Sequence, residues 1–156
     1  MPGPPGPSTL CPVSVLDFQL FQVDDQGQLF ISPAIEAWDL LAEHEIDTVI
    51  DLEGGLDYCI PTVPNSCLYI YFPIMDEELP NLTKLRTVAK MAAALIRDGH
   101  VVLSHCGMGF NRSALVAGLI LTELGMPGRE AVVRLRERRP GALFNEIFAA
   151  YLESID

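Results

Sequence analysis

The stretch Val101-Val102-Leu103-Ser104-His105-Cys106-Gly107-Met108-Gly109-Phe110-Asn111-Arg112-Ser113 decides how this chain is read. Its first three residues predict a strand buried on both faces. Gly107 and Gly109 mark a short loop, and the apolar run 114–121 carries the chain on into a helix. A strand that passes through such a loop into a helix places Cys106 at the carboxyl end of the strand, the edge where ligand sites of open α/β sheets form. The same turn aims backbone N–H groups from Gly107 onward at one point, an anion cradle at a helix N-terminus. A cysteine held there has its thiolate favoured by the helix dipole and a neighbouring guanidinium. Arg112 supplies that guanidinium, a planar fork matched to two oxygens of one phosphate. Gly109 lets the loop take backbone angles that a Cβ resists.

Working outward, residues 48–52 and 68–72 read as two more buried strands, ended by Gly54-Gly55 and by Pro73. Residues 18–23 and 28–31 flank Asp24-Asp25-Gln26-Gly27 and suggest a hairpin. Ser32 and Pro33 have the character of an N-cap and first helical residue, with Ile35, Trp38, Leu41 and Ala42 following at helical spacing. A long amphipathic helix is predicted over about 81–98, with Gly99 where a left-handed cap belongs. Three further helices are predicted over about 112–124, 128–138 and 145–155. Short apolar strands alternating with helices indicate an α/β fold, a three-layer α/β/α arrangement around a mainly parallel sheet. Residues 1–12 are a Pro/Gly-rich tail, and 13–156 form a single domain.

Charge narrows the function. Lys and Arg total 10 against 21 Asp and Glu, a net charge of −11 over 156 residues. Positions 1–83 hold 14 acidic residues and no Lys or Arg; the other seven acids and all 10 basic residues follow. The front half repels polyanions, while the back half suits one compact anionic group, so nucleic acid is not the expected partner. The most apolar run, eight residues, is far short of the roughly 20 that span a bilayer. The N-terminus has no basic residue before an apolar stretch, as a secretory leader would. Cys11, Cys59, Cys67 and Cys106 lack disulfide-framework or zinc spacing, which points to a reducing, cytoplasmic setting.

The order His105-Cys106, five residues, Arg112-Ser113 resembles the signature of the cysteine-dependent protein tyrosine phosphatase superfamily, and the short chain is most similar to its small atypical dual-specificity members. The likeness runs from about residue 28 to the end and includes Arg139-Pro140-Gly141. It implies phosphoryl transfer through a phosphocysteine on phosphorylated protein or peptide substrates, phosphotyrosine foremost and then phosphoserine or phosphothreonine. Cys106 would be the nucleophile. Gly107, Met108, Gly109, Phe110, Asn111 and Arg112 would form the phosphate-binding loop. Ser113 would hydrogen-bond the sulfur, and His105 would orient the loop from behind. The family also uses an aspartate some thirty residues upstream as general acid, which points to Asp76, with Glu77 or Glu78 as the fallback. The resemblance implies no metal and no cofactor.

Asn111 stands where Ser or Gly is common in the family, and Met108 is unusual at its place. Gly109-Phe110-Asn111-Arg112 also resembles the loop of RNA 5′-triphosphatases, which stay open as an alternative alongside lipid or inositol phosphatases and a non-catalytic phosphate-binding module. Among the remaining candidates, Tyr58 offers an aromatic face to a substrate, and Cys59 or Cys67 offers a disulfide partner to Cys106. Arg134, Arg136, Arg138 and Arg139 offer a second anion site. Each also has a plainer reading, as packing, buried thiols and a solvated helix face.

Overall fold

The computed structural model describes residues 18–156, so the tail expected over 1–12 lies outside the described residues. The sheet order is β1-β2-β5-β3-β4. Its strands are β1 (Phe21–Gln22), β2 (Leu29–Ser32), β3 (Thr48–Asp51), β4 (Leu68–Tyr71) and β5 (Val102–His105). β1 pairs antiparallel with β2, closing the expected hairpin, and every other pairing is parallel. The helices are α1 (Trp38–Glu43), α2 (Leu82–Arg97), α3 (Arg112–Glu123), α4 (Gly128–Arg138) and α5 (Glu146–Glu153).

Alternation along β5 divides the core between two faces. Val102 joins a large cluster with Leu85, Leu115, Leu135 and Phe148, contributed by α2 to α5. Leu103 turns the other way, to Phe30, Leu41 and Val49 beneath α1. A strand covered on both faces has no polar positions to spare, which is why this segment reads as a continuous apolar run. From Ser113 to Leu121 every residue of α3 is buried, so this helix is the central pillar on its side of the sheet. The three-layer α/β/α expectation holds.

Two local expectations are corrected. Ser32 does not cap a helix. It is the last residue of β2, fully buried, in register with His105, and its carbonyl accepts from Cys106 N at 3.3 Å. The helix begins at Trp38 instead, because parallel pairing with β5 claims the backbone that capping would have used. Residues 68–71 do form a strand, but at the sheet edge and half exposed rather than buried. Among the described residues, no helix is long and apolar enough to cross a membrane.

Candidate active site

The loop between β5 and α3 is held in shape from both sides. Gly109 has φ +75°, and a Cβ there would stand 2.7 Å from the Pro33 nitrogen, so only glycine fits between the loop and the end of β2. Ala34 N donates to Gly107 O at 3.3 Å, a second tie to the same segment. Within the loop, Gly109 N–H points at Cys106 Sγ at 3.2 Å, and Ser113 Oγ lies 3.3 Å from the same sulfur. Cys106 is 2% exposed, at the floor of the loop. The sequence-predicted pair of Cys106 and Ser113 is therefore brought together.

Arg112, the first residue of α3, reaches along the loop. Its Nη1 donates to Ile74 O at 3.3 Å and its Nη2 to Glu53 Oε2 at 2.8 Å, while its Nε–H is buried and meets no acceptor among the described residues. Glu53 follows β3 and presses against Gly107, where any Cβ would collide with its carboxylate. Burial works to raise the Glu53 carboxyl, but the hydrogen bond and charge of Arg112, with the N–H groups of Gly54 and Gly107, outweigh it and hold it below the usual range.

Asp76, on the exposed loop after β4, accepts from Asn111 Nδ2 at 2.8 Å through one oxygen and from Asn145 Nδ2 at 2.9 Å through the other. The structure thus joins Asp76 to the loop of Cys106, whereas the fallback residues Glu77 and Glu78 point to solvent. A cavity of about 480 Å³ beside Arg112 is lined by Glu53, Met75, Asp76 and Glu77 among others.

Beneath the loop, His105 is fully buried. Its Nε2 lies 2.6 Å from Asp57 Oδ2 and 3.5 Å from Asp51 Oδ1. The Tyr69 hydroxyl sits between the two carboxylates, bonded to Asp51 and, at 2.8 Å, to Asp57. Burial pushes the Asp51 carboxyl up, against the pull of Tyr69, the Glu53 N–H and His105; burial and the two carboxylates drive the Tyr69 hydroxyl up as well. Asp51, Asp57 and His105 have ligand atoms within 4.8 Å of one another, a spacing that also suits a metal. His105 is hydrogen-bonded to Asp57, and both carboxylates to Tyr69, which accounts for their grouping.

The rest of the sequence candidates separate. Arg139 lies over the rings of Phe110 and Phe21, 3.9 and 4.4 Å from their centroids, and donates to Gly109 O at 3.4 Å. Arg134 and Arg138 pair with Asp25, and Arg136 donates to Leu143 O, so the four arginines do not converge on one site. Met108 is exposed, and Tyr58 is 86% exposed with its carbonyl accepting from Trp38 Nε1. Cys67 and Cys106 are free thiols, but Cys59 is disulfide-bonded, which corrects its reading as a buried reduced side chain. Glu53, Asp57 and Asn145 escaped the sequence reading. For Glu53 a signal existed: it follows the strand beside β5, on the same carboxyl edge of the sheet as Cys106.

A family model for the catalytic domain of dual specificity phosphatases matches residues 29–155. No curated protein sequence matches the chain. A mouse putative dual specificity phosphatase, solved in complex with zinc tungstate, is similar at 27% identity and TM-score 0.72, covering 86% of this chain and 84% of that one. Human DUSP28 is similar in fold at 23% identity and TM-score 0.73, over 86% of this chain and 90% of its own. Tk-PTP in its active form reaches 26% identity and TM-score 0.65, over 86% and 95%. With the family model spanning all but the first strand of the described fold, the chain belongs to the dual specificity phosphatases, cysteine-dependent enzymes of the protein tyrosine phosphatase superfamily.

Proposed function

We propose that this enzyme hydrolyses phosphotyrosine, and phosphoserine or phosphothreonine as further substrates, in phosphorylated proteins or peptides through a phosphocysteine at Cys106. The observation that carries the reading is the convergence on one sulfur of the Gly109 N–H and the Ser113 hydroxyl, at the N-terminus of a buried helix whose first residue is Arg112. In this scheme the Cys106 thiolate attacks phosphorus in line, and the bond to the ester oxygen breaks. Asp76 gives its proton to that departing oxygen. The loop amides of residues 107–112 and the Arg112 guanidinium hold the equatorial oxygens as charge develops on them. Water then attacks phosphorus, Asp76 takes its proton, and the sulfur leaves as thiolate with Ser113 Oγ as its hydrogen-bond donor. His105 supports the loop from behind.

Two features favour a phosphorylated protein over a polyphosphate. The cavity beside Arg112 carries the carboxylates of Glu53 and Glu77 besides the acid Asp76, and these two repel any phosphate beyond the one held by the loop. Met75, Met108 and Phe144, each at least 66% exposed, offer apolar contacts around the loop. The test compares a phosphotyrosine peptide, a phosphothreonine peptide and a 5′-triphosphorylated oligonucleotide in the presence of EDTA, with rapid-quench trapping of phosphate on the protein. Peptide hydrolysis with label on Cys106, abolished in Cys106→Ser, is expected. Preference for the oligonucleotide transfers the assignment to RNA 5′-triphosphatase activity, and turnover without label on the protein overturns the phosphocysteine.

A further inference from the structure

Asn145 sits at the N-cap of α5, where its Oδ1 accepts from Ile147 N at 3.1 Å and Phe148 N at 3.3 Å. Those two backbone donors settle which way the amide faces. Its Nδ2 is turned outward, donating to Asp76 Oδ1 at 2.9 Å and to Glu77 O at 3.3 Å. Asn111 is oriented in the same manner. Its Oδ1 accepts from Asn145 N at 2.9 Å, which leaves Nδ2 to donate to Asp76 Oδ2 at 2.8 Å. Asn111 is 2% exposed, so its amide cannot swing away to solvent. The segment leading to Asn145 is equally constrained: Leu143, fully buried, holds φ +60° while its N–H donates to Phe110 O at 2.9 Å. A left-handed leucine persists only where its surroundings over-determine it.

From this closed ring we infer that Asn111 and Asn145 are positioning residues for the general acid, a two-pronged latch that holds the exposed loop of Asp76 against the phosphate-binding loop. The inference rests on the reading of Asp76 as the acid. One prong comes from the phosphate-binding loop itself and the other from the cap of α5, so each carboxylate oxygen has its own anchored donor. Asp76 is thereby held in the orientation for proton transfer before substrate arrives, and closure of its loop need not be driven by substrate. The latch acts through Asp76, so it weighs most on the departure of a poor leaving group and also serves the step in which Asp76 takes the proton of the attacking water.

Capping and latching use different atoms of Asn145, which makes them separable. Asn145→Asp keeps an oxygen for Ile147 N and Phe148 N, since aspartate caps as well as asparagine, but removes the donor to Asp76 and faces it with a like charge. The experiment measures kcat for Asn145→Asp, Asn111→Ser and Asp76→Asn on a series of aryl phosphates running from 4-nitrophenyl to phenyl, and on a phosphoserine peptide, with thermal midpoints for each variant. For Asp76→Asn the loss on the poorest leaving group should be roughly 10²–10⁴-fold and should shrink toward 4-nitrophenyl phosphate. Asn145→Asp should show the same leaving-group trend with a smaller loss, roughly ten- to hundredfold, as for a lost hydrogen bond to a charged group, at a thermal midpoint close to wild type. Asn145→Gln, which retains a donor amide, should recover part of that loss. If Asp76→Asn shows the trend and Asn145→Asp and Asn111→Ser slow all esters equally, the latch is refuted. If Asp76→Asn itself shows no trend, the acid assignment falls instead.

Discussion

Glu53 Oε2 accepts a 2.8 Å hydrogen bond from Arg112 Nη2, so the guanidinium proposed to hold substrate phosphate already holds an anion from within the chain. The carboxylate also lies against Gly107, at the entrance of the loop. Removing its charge leaves Arg112 less compensated. Glu53→Gln should therefore tighten inhibition by phosphate and vanadate several-fold, on the scale of about 1 kcal/mol for a like charge removed near the surface. Inhibition constants measured at low and high salt check this, and unchanged constants would show that the carboxylate is too screened to matter.

Arg112 Nε–H is buried without an acceptor among the described residues, and a phosphate oxygen is the natural group to meet it. Oxyanions should accordingly stabilise the fold by mass action, about 2.7 kcal/mol at a hundredfold excess over the dissociation constant. Thermal unfolding with phosphate or tungstate should show a rise in midpoint that disappears in Arg112→Ala. That variant should also lose roughly 10²–10³-fold in kcat, as on removal of one oxyanion donor.

Gly109 joins the loop to the end of β2 at a φ of +75° with backbone 2.7 Å from where a Cβ would lie. Gly109→Ala should cost about 1–3 kcal/mol in strained backbone alone. The displaced N–H would no longer reach Cys106 Sγ. Activity should fall further than stability does, which a comparison of kcat at low temperature with the thermal midpoint would reveal.

His100 Nδ1 pairs with Asp47 Oδ2 at 2.7 Å, and that hydrogen bond and charge hold the imidazole above its ordinary range. The folded state binds this proton more tightly than the unfolded chain. The contribution is therefore complete below the unfolded value of about 6.5 and is lost as pH rises through the higher folded value. His100→Gln should flatten the decline in thermal midpoint as pH rises above about 6.5. Because His100 is exposed, the effect should be small and should shrink in high salt.

The segment from Val102 to Ser113 carries its own instructions: hydrophobic period, two glycines and the Cys-to-Arg spacing are properties of contiguous chain. The same is true of α2 to α5, whose observed bounds fall within a few residues of those expected from periodicity and caps. Of the groups that reach the Cys106 loop from a distance, Asp76 came only through the resemblance, and the pairings that hold the site together were not read from the chain. Asp57 meets His105 across 48 residues, Glu53 meets Arg112 across 59, and Asn145 meets Asp76 across 69. Ser32 shows the limit from the other side. Its local chemistry favours a cap, but pairing with β5 makes it strand. Local sequence settled what is repeated every two or 3.6 residues, because backbone hydrogen bonding and one-sided burial act over that range. Which loops meet over the sulfur was left to the order of strands in the sheet and the packing of helices upon it, where each contact depends on all the others being made.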